Sequence, residues 1–139
     1  MAGYSPNPLI KKLGFKDGSA ALLLSVPGAL VEITAFPRFV SVEKSLAPGP
    51  RRYDAAHWFE TSRARLEDGI HMVAAGLKPD AMLWISWPKK ASKVQTDITE
   101  DVLREVILPL GLVDVKVCAV DDIWSGLKFM WRKELRSAL

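Results

Sequence analysis

The sequence predicts an α/β domain built on a mostly parallel sheet, and three observations lead there. Short apolar runs alternate with longer stretches of helical periodicity. Two of the runs, residues 20–24 and 81–87, are apolar at nearly every position, as strands covered on both faces are. The last link, residues 121–126, is too short for a crossover and predicts one antiparallel strand at the C-terminus.

The elements follow in order. Asn7 and Pro8 open a helix over residues 8–13, with Asn7 as cap, and Gly14 closes it. The turn Lys16-Asp17-Gly18 leads into the apolar strand 20–24. After Pro27-Gly28, residues 29–36 carry Leu30, Ile33 and Thr34 at helical spacing, and Pro37 ends that helix. Residues 39–43 alternate like a strand, and residues 47–50, Ala-Pro-Gly-Pro, have no helix potential. Residues 54–59 form the third strand. Thr61 or Ser62 then caps a long helix with Leu66, Ile70, Val73, Ala74 and Leu77 on one face, ended by Gly76 and Pro79.

Strand 81–87 is apolar enough to lie centrally. Asp97 to Glu100 resembles a capping box for a helix whose buried face carries Leu103, Val106, Ile107 and Leu110, with Glu100 and Arg104 paired on the other face. Strands over 113–120 and 127–133 complete the chain. This order describes a single Rossmann-like three-layer domain over residues 1–139, with five or six strands, an antiparallel C-terminal strand and three main helices. The link 44–53 is its weakest part, because about ten residues is the lower limit for a parallel crossover.

Composition narrows the function classes. Of 139 residues, 49% are hydrophobic, so a core forms without staples. Nineteen Lys and Arg against 16 Asp and Glu give a charge of +3. The cations are spread along the chain with no basic stripe, which argues against a nucleic-acid binder. Cys118 is the only cysteine, so no internal disulfide forms, as suits a reducing compartment. The N-terminus has no signal-peptide apolar stretch, and runs 20–24 and 81–85 are too short to cross a bilayer. A cytoplasmic location without a membrane partner is the expectation. A terminal strand over 127–132 at a sheet edge would offer pairing with a second copy as a homodimer.

Three segments resemble class I S-adenosylmethionine-dependent methyltransferases. Leu13 to Gly18 is similar to their lead-in to the first strand. Leu77-Lys78-Pro79-Asp80 before Met82-Leu83-Trp84-Ile85 is similar to their fourth strand and its turn, and residues 111–128 to their terminal hairpin. The resemblance implies the fold. It does not extend to the Gly-rich cofactor loop, which here reads Ser25-Val26-Pro27-Gly28; Pro27 has no N–H, and Leu23 stands where an acid is usual. Glu43 falls at the place of the ribose-binding acid. On these grounds no cofactor is expected, S-adenosylmethionine included. Ser86 to Lys90, Thr99 to Glu105 and Asp121 to Phe129 look like a family of small uncharacterised bacterial proteins, a domain of unknown function, which implies no activity.

In open α/β sheets, ligands sit beyond the carboxyl ends of the strands. Lys89 and Lys90 leave a central strand there, close to a helix start and to Ser92 and Thr96, so they are the candidates for a small anionic ligand; the alternative is a pair of solvated loop charges. Trp87 and Trp124 in loops at the same edge would stack a planar ligand or pack as a lid. Asp121 with Asp122 would hold a metal or, more simply, a hairpin turn. His57 reads as a hydrogen-bonded packing residue, His71 as a surface residue and Cys118 as a buried thiol. No catalytic dyad, triad, P-loop or zinc spacing can be assembled. The leading expectation is a non-catalytic or ligand-sensing module; the alternatives are a diverged methyltransferase-like enzyme and a subunit of a hetero-complex.

Overall fold

A computed structural model describes residues 8–30, 33, 38–46 and 49–139. The helix expected over 29–36, Asn7 as its predecessor's cap, Pro37 as its end and the Ala47-Pro48 turn lie wholly or largely outside the described residues; at the first of these a 3-10 turn over Gly28–Leu30 is seen. The helices are α1 (Pro8–Leu13), α2 (Arg63–Gly76) and α3 (Glu100–Ile107). The strands are β1 (Ala20–Leu24), β2 (Ser41–Glu43), β3 (Tyr53–Phe59), β4 (Leu77–Pro88), β5 (Leu112–Ala119) and β6 (Trp124–Trp131). They form one sheet in the order β2-β1-β3-β4-β6-β5. β1 pairs in parallel with β2 and β3, and β3 with β4; β6 alone runs against its neighbours β4 and β5. The architecture is a Rossmann-like α/β domain of six strands.

The alternation of side chains along each strand builds two cores. Leu22, Leu24, Trp58, Leu83, Ile85 and Phe129 pack on one face against Leu66, Ile70 and Val73 of α2 and Leu103 and Ile107 of α3. Leu23, Ala55, Phe59 and Trp84 pack on the other face against Leu9, Ile10 and Leu13 of α1. The Trp84 indole donates to the Leu13 carbonyl at 2.8 Å, fastening the end of α1 to the middle of the sheet. Burial on both faces explains why β1 and residues 81–87 of β4 are apolar at nearly every position, and β4 lies centrally as its composition predicts.

The link between β2 and β3 crosses over β1 with no helix among its described residues. It is held by the C-terminal end of α2. The backbone N–H groups of Arg51 and Arg52 donate to Ala75 and Gly76 carbonyls at 2.9 and 2.7 Å, and the Arg51 guanidinium donates to Ala74 and Leu77 carbonyls. Carbonyls that a helix end leaves unpaired thus supply the bonds that a crossover helix would have made internally.

Three expectations need correction. The last strand begins at Trp124 rather than at residue 127, because the turn closes within four residues: Asp121 Oδ1 accepts from the N–H groups of Ile123 and Trp124 at 2.8 and 2.7 Å, and Val120 N–H donates to the Trp124 carbonyl at 2.9 Å. Residues 127–131 lie between β4 and β5, so the sheet edge offered for a homodimer is not there; β5 is the edge, and its pairing with β6 is broken by an irregularity between Asp114 and Lys116. Asp97 does not cap the helix that follows it. Thr99 does, accepting from Val102 N–H at 3.1 Å, while Asp97 accepts from Arg63 N–H at 2.7 Å in the first turn of α2. An acid there suits the positive end of the longer helix.

Candidate functional site

From β1 the chain moves outward to β2 and then returns past β1 to β3, so strand order reverses between β1 and β3. The carboxyl ends of two parallel strands splay at such a point and leave a crevice. Leu24 ends β1 and is followed by Ser25, and Phe59 ends β3 and is followed by Glu60. A cleft of about 410 Å³ opens there, lined by Leu24, Ser25, Leu46, Trp58, Glu60, Arg65, Asp68 and Gly69. That lies within the range of roughly 300–1,000 Å³ usual for small-molecule sites. A second hollow, of about 240 Å³, adjoins it between the ends of β1 and β2 and is lined by Leu23, Ser25, Val26 and Lys44.

Local sequence shapes this edge. Ser25 adopts φ 59°, the left-handed region that side chains other than glycine rarely enter. The strand therefore turns sharply at its end although the loop holds only one glycine. Gly69 on α2 lets the Trp58 ring approach: a Cβ there would meet the ring at 2.9 Å. The floor of the cleft depends on that contact.

Glu60 is the polar centre. It is buried, and its carboxylate accepts from the Trp58 indole at 3.2 Å, from Thr61 and Ser62 N–H at 2.9 and 3.1 Å, and from the Arg65 guanidinium at 3.0 Å. Two of those donors are backbone amides at the start of α2, where anionic charge is favoured. These donors hold the Glu60 carboxylate in place, and it shapes the loop. Glu60→Gln is expected to lower stability by about 1–3 kcal/mol, because an amide presents donors to donors. A urea titration showing no loss would mean that the carboxylate does not hold this loop. Glu43, at the end of β2, accepts two bonds from Arg52 at 2.9 and 3.1 Å and keeps 31% of its side chain exposed.

The residues singled out from sequence are not gathered into one place. Trp87 lies within β4, not in a loop, and is buried in the core beneath α2 and α3. Trp124 lies within β6 and packs edge-on to Phe59, ring centroids 5.1 Å apart, on the other face of the sheet. The two tryptophans therefore cannot flank one ligand. Thr96 donates to the Thr61 carbonyl at 2.7 Å and accepts from Ile98 N–H, and Ser92 donates to the Lys89 carbonyl at 2.6 Å. Both hydroxyls are engaged in holding their loop. Lys89 follows the end of β4 and its N–H donates to Ile123; Lys90 is exposed in the next turn. Asp121 serves its turn, and no group of three or more His, Cys, Asp or Glu is placed to hold a metal among the described residues.

His57 is fully buried in β3, and its Nε2 lies 2.6 Å from Ser86 Oγ, as a packing histidine requires. Burial pushes its pKa down to about 3. Nδ1 has no hydrogen-bond partner among the described residues. Cys118 is half-buried rather than fully so, and partial burial pushes its thiol pKa up. Sequence places Ser25 and Glu60 at the carboxyl ends of their strands without singling them out as ligand residues, and it missed Leu24 and Trp58 as walls of the crevice. The available signal was the reversal of strand order, which requires knowing which strands are neighbours.

Several solved structures that superpose on this chain are methyltransferases. A SAM-dependent methyltransferase from Aquifex aeolicus superposes with a TM-score of 0.62 at 14% identity, over 93% of this chain and 90% of that one. The magnesium protoporphyrin IX methyltransferase of Synechocystis PCC 6803, with bound SAM, gives 0.57 at 15% identity, over 89% and 74%. A TehB-like SAM-dependent methyltransferase from Corynebacterium glutamicum gives 0.53 at 14%, over 94% and 91%. No family model and no curated protein matches the chain. The likeness establishes the methyltransferase-like fold. It also corrects the expectation that no cofactor goes with this architecture: the Synechocystis neighbour was crystallised with SAM and, in another crystal, with SAH. The loop after β1 takes its left-handed turn at Ser25 without a glycine at that position.

Proposed function

We propose that this chain is a diverged methyltransferase-like protein that binds S-adenosylmethionine in the crevice between β1 and β3. The observation that carries the reading is the placement of that crevice at the reversal of strand order, entered by the left-handed turn at Ser25. The residues present fit the group. Leu24, Leu46 and Trp58 offer apolar walls to a purine. Glu43, next in sequence to Lys44 of the adjoining hollow, keeps 31% of its side chain exposed beside its Arg52 bonds, and we assign it to the ribose hydroxyls. Pro27 removes one backbone donor from the loop, leaving the Ser25 hydroxyl and the remaining amides to orient the ligand.

When bound, the cofactor supplies a methyl group on a positively charged sulfur. The protein's own part is to bind and orient it. Glu60 fixes the loop at the end of β3 through its four donors, and Arg52 fixes the Glu43 carboxylate. Because both carboxylates are held in ion pairs, with Arg65 and Arg52, a second reading has support: a ligand-sensing module that binds the cofactor without transferring its methyl group.

Calorimetric titration with S-adenosylmethionine is expected to show one-to-one binding tighter than about 100 μM, or about −5.5 kcal/mol. Glu43→Ala is expected to weaken it about tenfold, or by about 1.4 kcal/mol. Absence of heat with the wild type at millimolar ligand would sink the proposal. Transfer of a labelled methyl group to components of a host extract separates the enzyme from the sensor.

A further inference from the structure

Paired residues on the α1 face of the sheet form a row that crosses it: Leu23, His57, Trp84, Lys128 and Lys116. The first three are buried beneath α1 and its neighbours. The last two carry the row out to the sheet edge as cations. Lys116 Nζ donates to the Lys12 carbonyl at 3.1 Å, which brings the end of α1 against β5. Partial burial, with repulsion from Lys116 and Lys16 added to it, pushes the Lys128 ammonium below the ordinary lysine range. Lys12 and Lys116 also act on Cys118 between them.

Four lysines from α1, the following turn, β5 and β6 thus share one face. The ion pairs among the described residues engage Arg52, Arg63, Arg65, Lys78, Arg104 and Arg136, and none of these four. The nearby Asp17 carboxylate accepts from Arg38 N–H. Lys12, Lys16 and Lys116 are exposed and Lys128 is half-buried. Like charges held together with no ion pair among the described residues repel, and an anion laid across them relieves that repulsion. Lysines act as point charges without the planar fork that arginine brings to base edges. Their spread over an open strand face and a helix end suits an extended row of phosphates.

We propose that this face binds the phosphate backbone of nucleic acid, without sequence preference, through Lys12, Lys16, Lys116 and Lys128. It is separate from the crevice between β1 and β3 and does not depend on what that crevice binds.

Fluorescence anisotropy of the full chain with a labelled single-stranded RNA of about 20 nucleotides, and with DNA of the same sequence, tests this. Both are expected to bind alike. With four phosphate contacts, affinity should fall about fifty-fold between about 50 and 200 mM salt, a logarithmic slope of about −3. The double variant Lys116→Gln, Lys128→Gln should halve that slope and keep the wild-type melting temperature. Lys12→Gln with Lys16→Gln, at exposed positions, should do the same and stands in if the first variant fails to fold. Lys93→Gln with Lys133→Gln should leave the slope unchanged. No binding by wild type at about 50 mM salt, or lysine variants with the wild-type slope, would overturn the proposal.

Discussion

Acidification is expected to remove about 5 kcal/mol of stability through His57 alone between about pH 6.5 and pH 3. The ring is fully buried between Phe15 and Phe59, with centroids 6.1 and 4.3 Å away, and its folded pKa is about 3. The ordinary value is 6.5. Above that value the ring is neutral in both states, and its full contribution is present. As pH falls below it, the unfolded chain binds a proton that the folded chain refuses, and stability drops by about 1.4 kcal/mol per unit. The loss stops near the folded pKa, where the buried ring also protonates. Urea titrations at several pH values check this against His57→Gln. Between about pH 6.5 and 4.5 the wild type should lose about 2.7 kcal/mol more than the variant. Parallel curves would mean that the ring is solvated or has an anionic partner.

Leu103→Ala is expected to cost about 2–5 kcal/mol, while Glu105→Ala should stay within about 0.5 kcal/mol. Leu103 is wholly buried in the core beneath α3, beside Ile107 and against the sheet. Deleting its branch removes apolar contact and leaves a cavity that strands on one side and α2 on the other cannot close. Glu105, two positions on, has 60% of its side chain exposed and pairs with Arg63 at 2.9 Å. An exposed pair of this kind contributes little because water screens it. Both variants are read by urea midpoint at constant slope. Equal losses would place Leu103 outside the core.

The crevice and the lysine face occupy different parts of the sheet. The first arises where strand order reverses, between β1 and β3; the second runs from the end of α1 and the turn after it onto β5 and β6. Failure to bind cofactor and failure to bind nucleic acid would therefore be separate results.

By itself the sequence determined the elements and the faces they bury. Hydrophobic periodicity is local, so the stripe Leu66, Ile70, Val73 and the pair Leu103, Ile107 were legible, as were the buried strands β1 and β4 and the packing role of His57. Tertiary structure decided which residues meet. Trp87 and Trp124 both stand at the carboxyl edge, yet side chains alternate along strands, and register sends the two rings to opposite faces. Asp97 resembles a cap for the helix beside it and instead serves Arg63, 34 residues away. Ser25 turns left-handed at the end of a strand, and its loop's composition did not announce it. Lys12, Lys16, Lys116 and Lys128 read as scattered charges along the chain, and the pairing of β5 with β6 beside the end of α1 makes them neighbours. Periodicity is set within a few residues, whereas sites are set by strand order and register, which join residues that no local pattern connects.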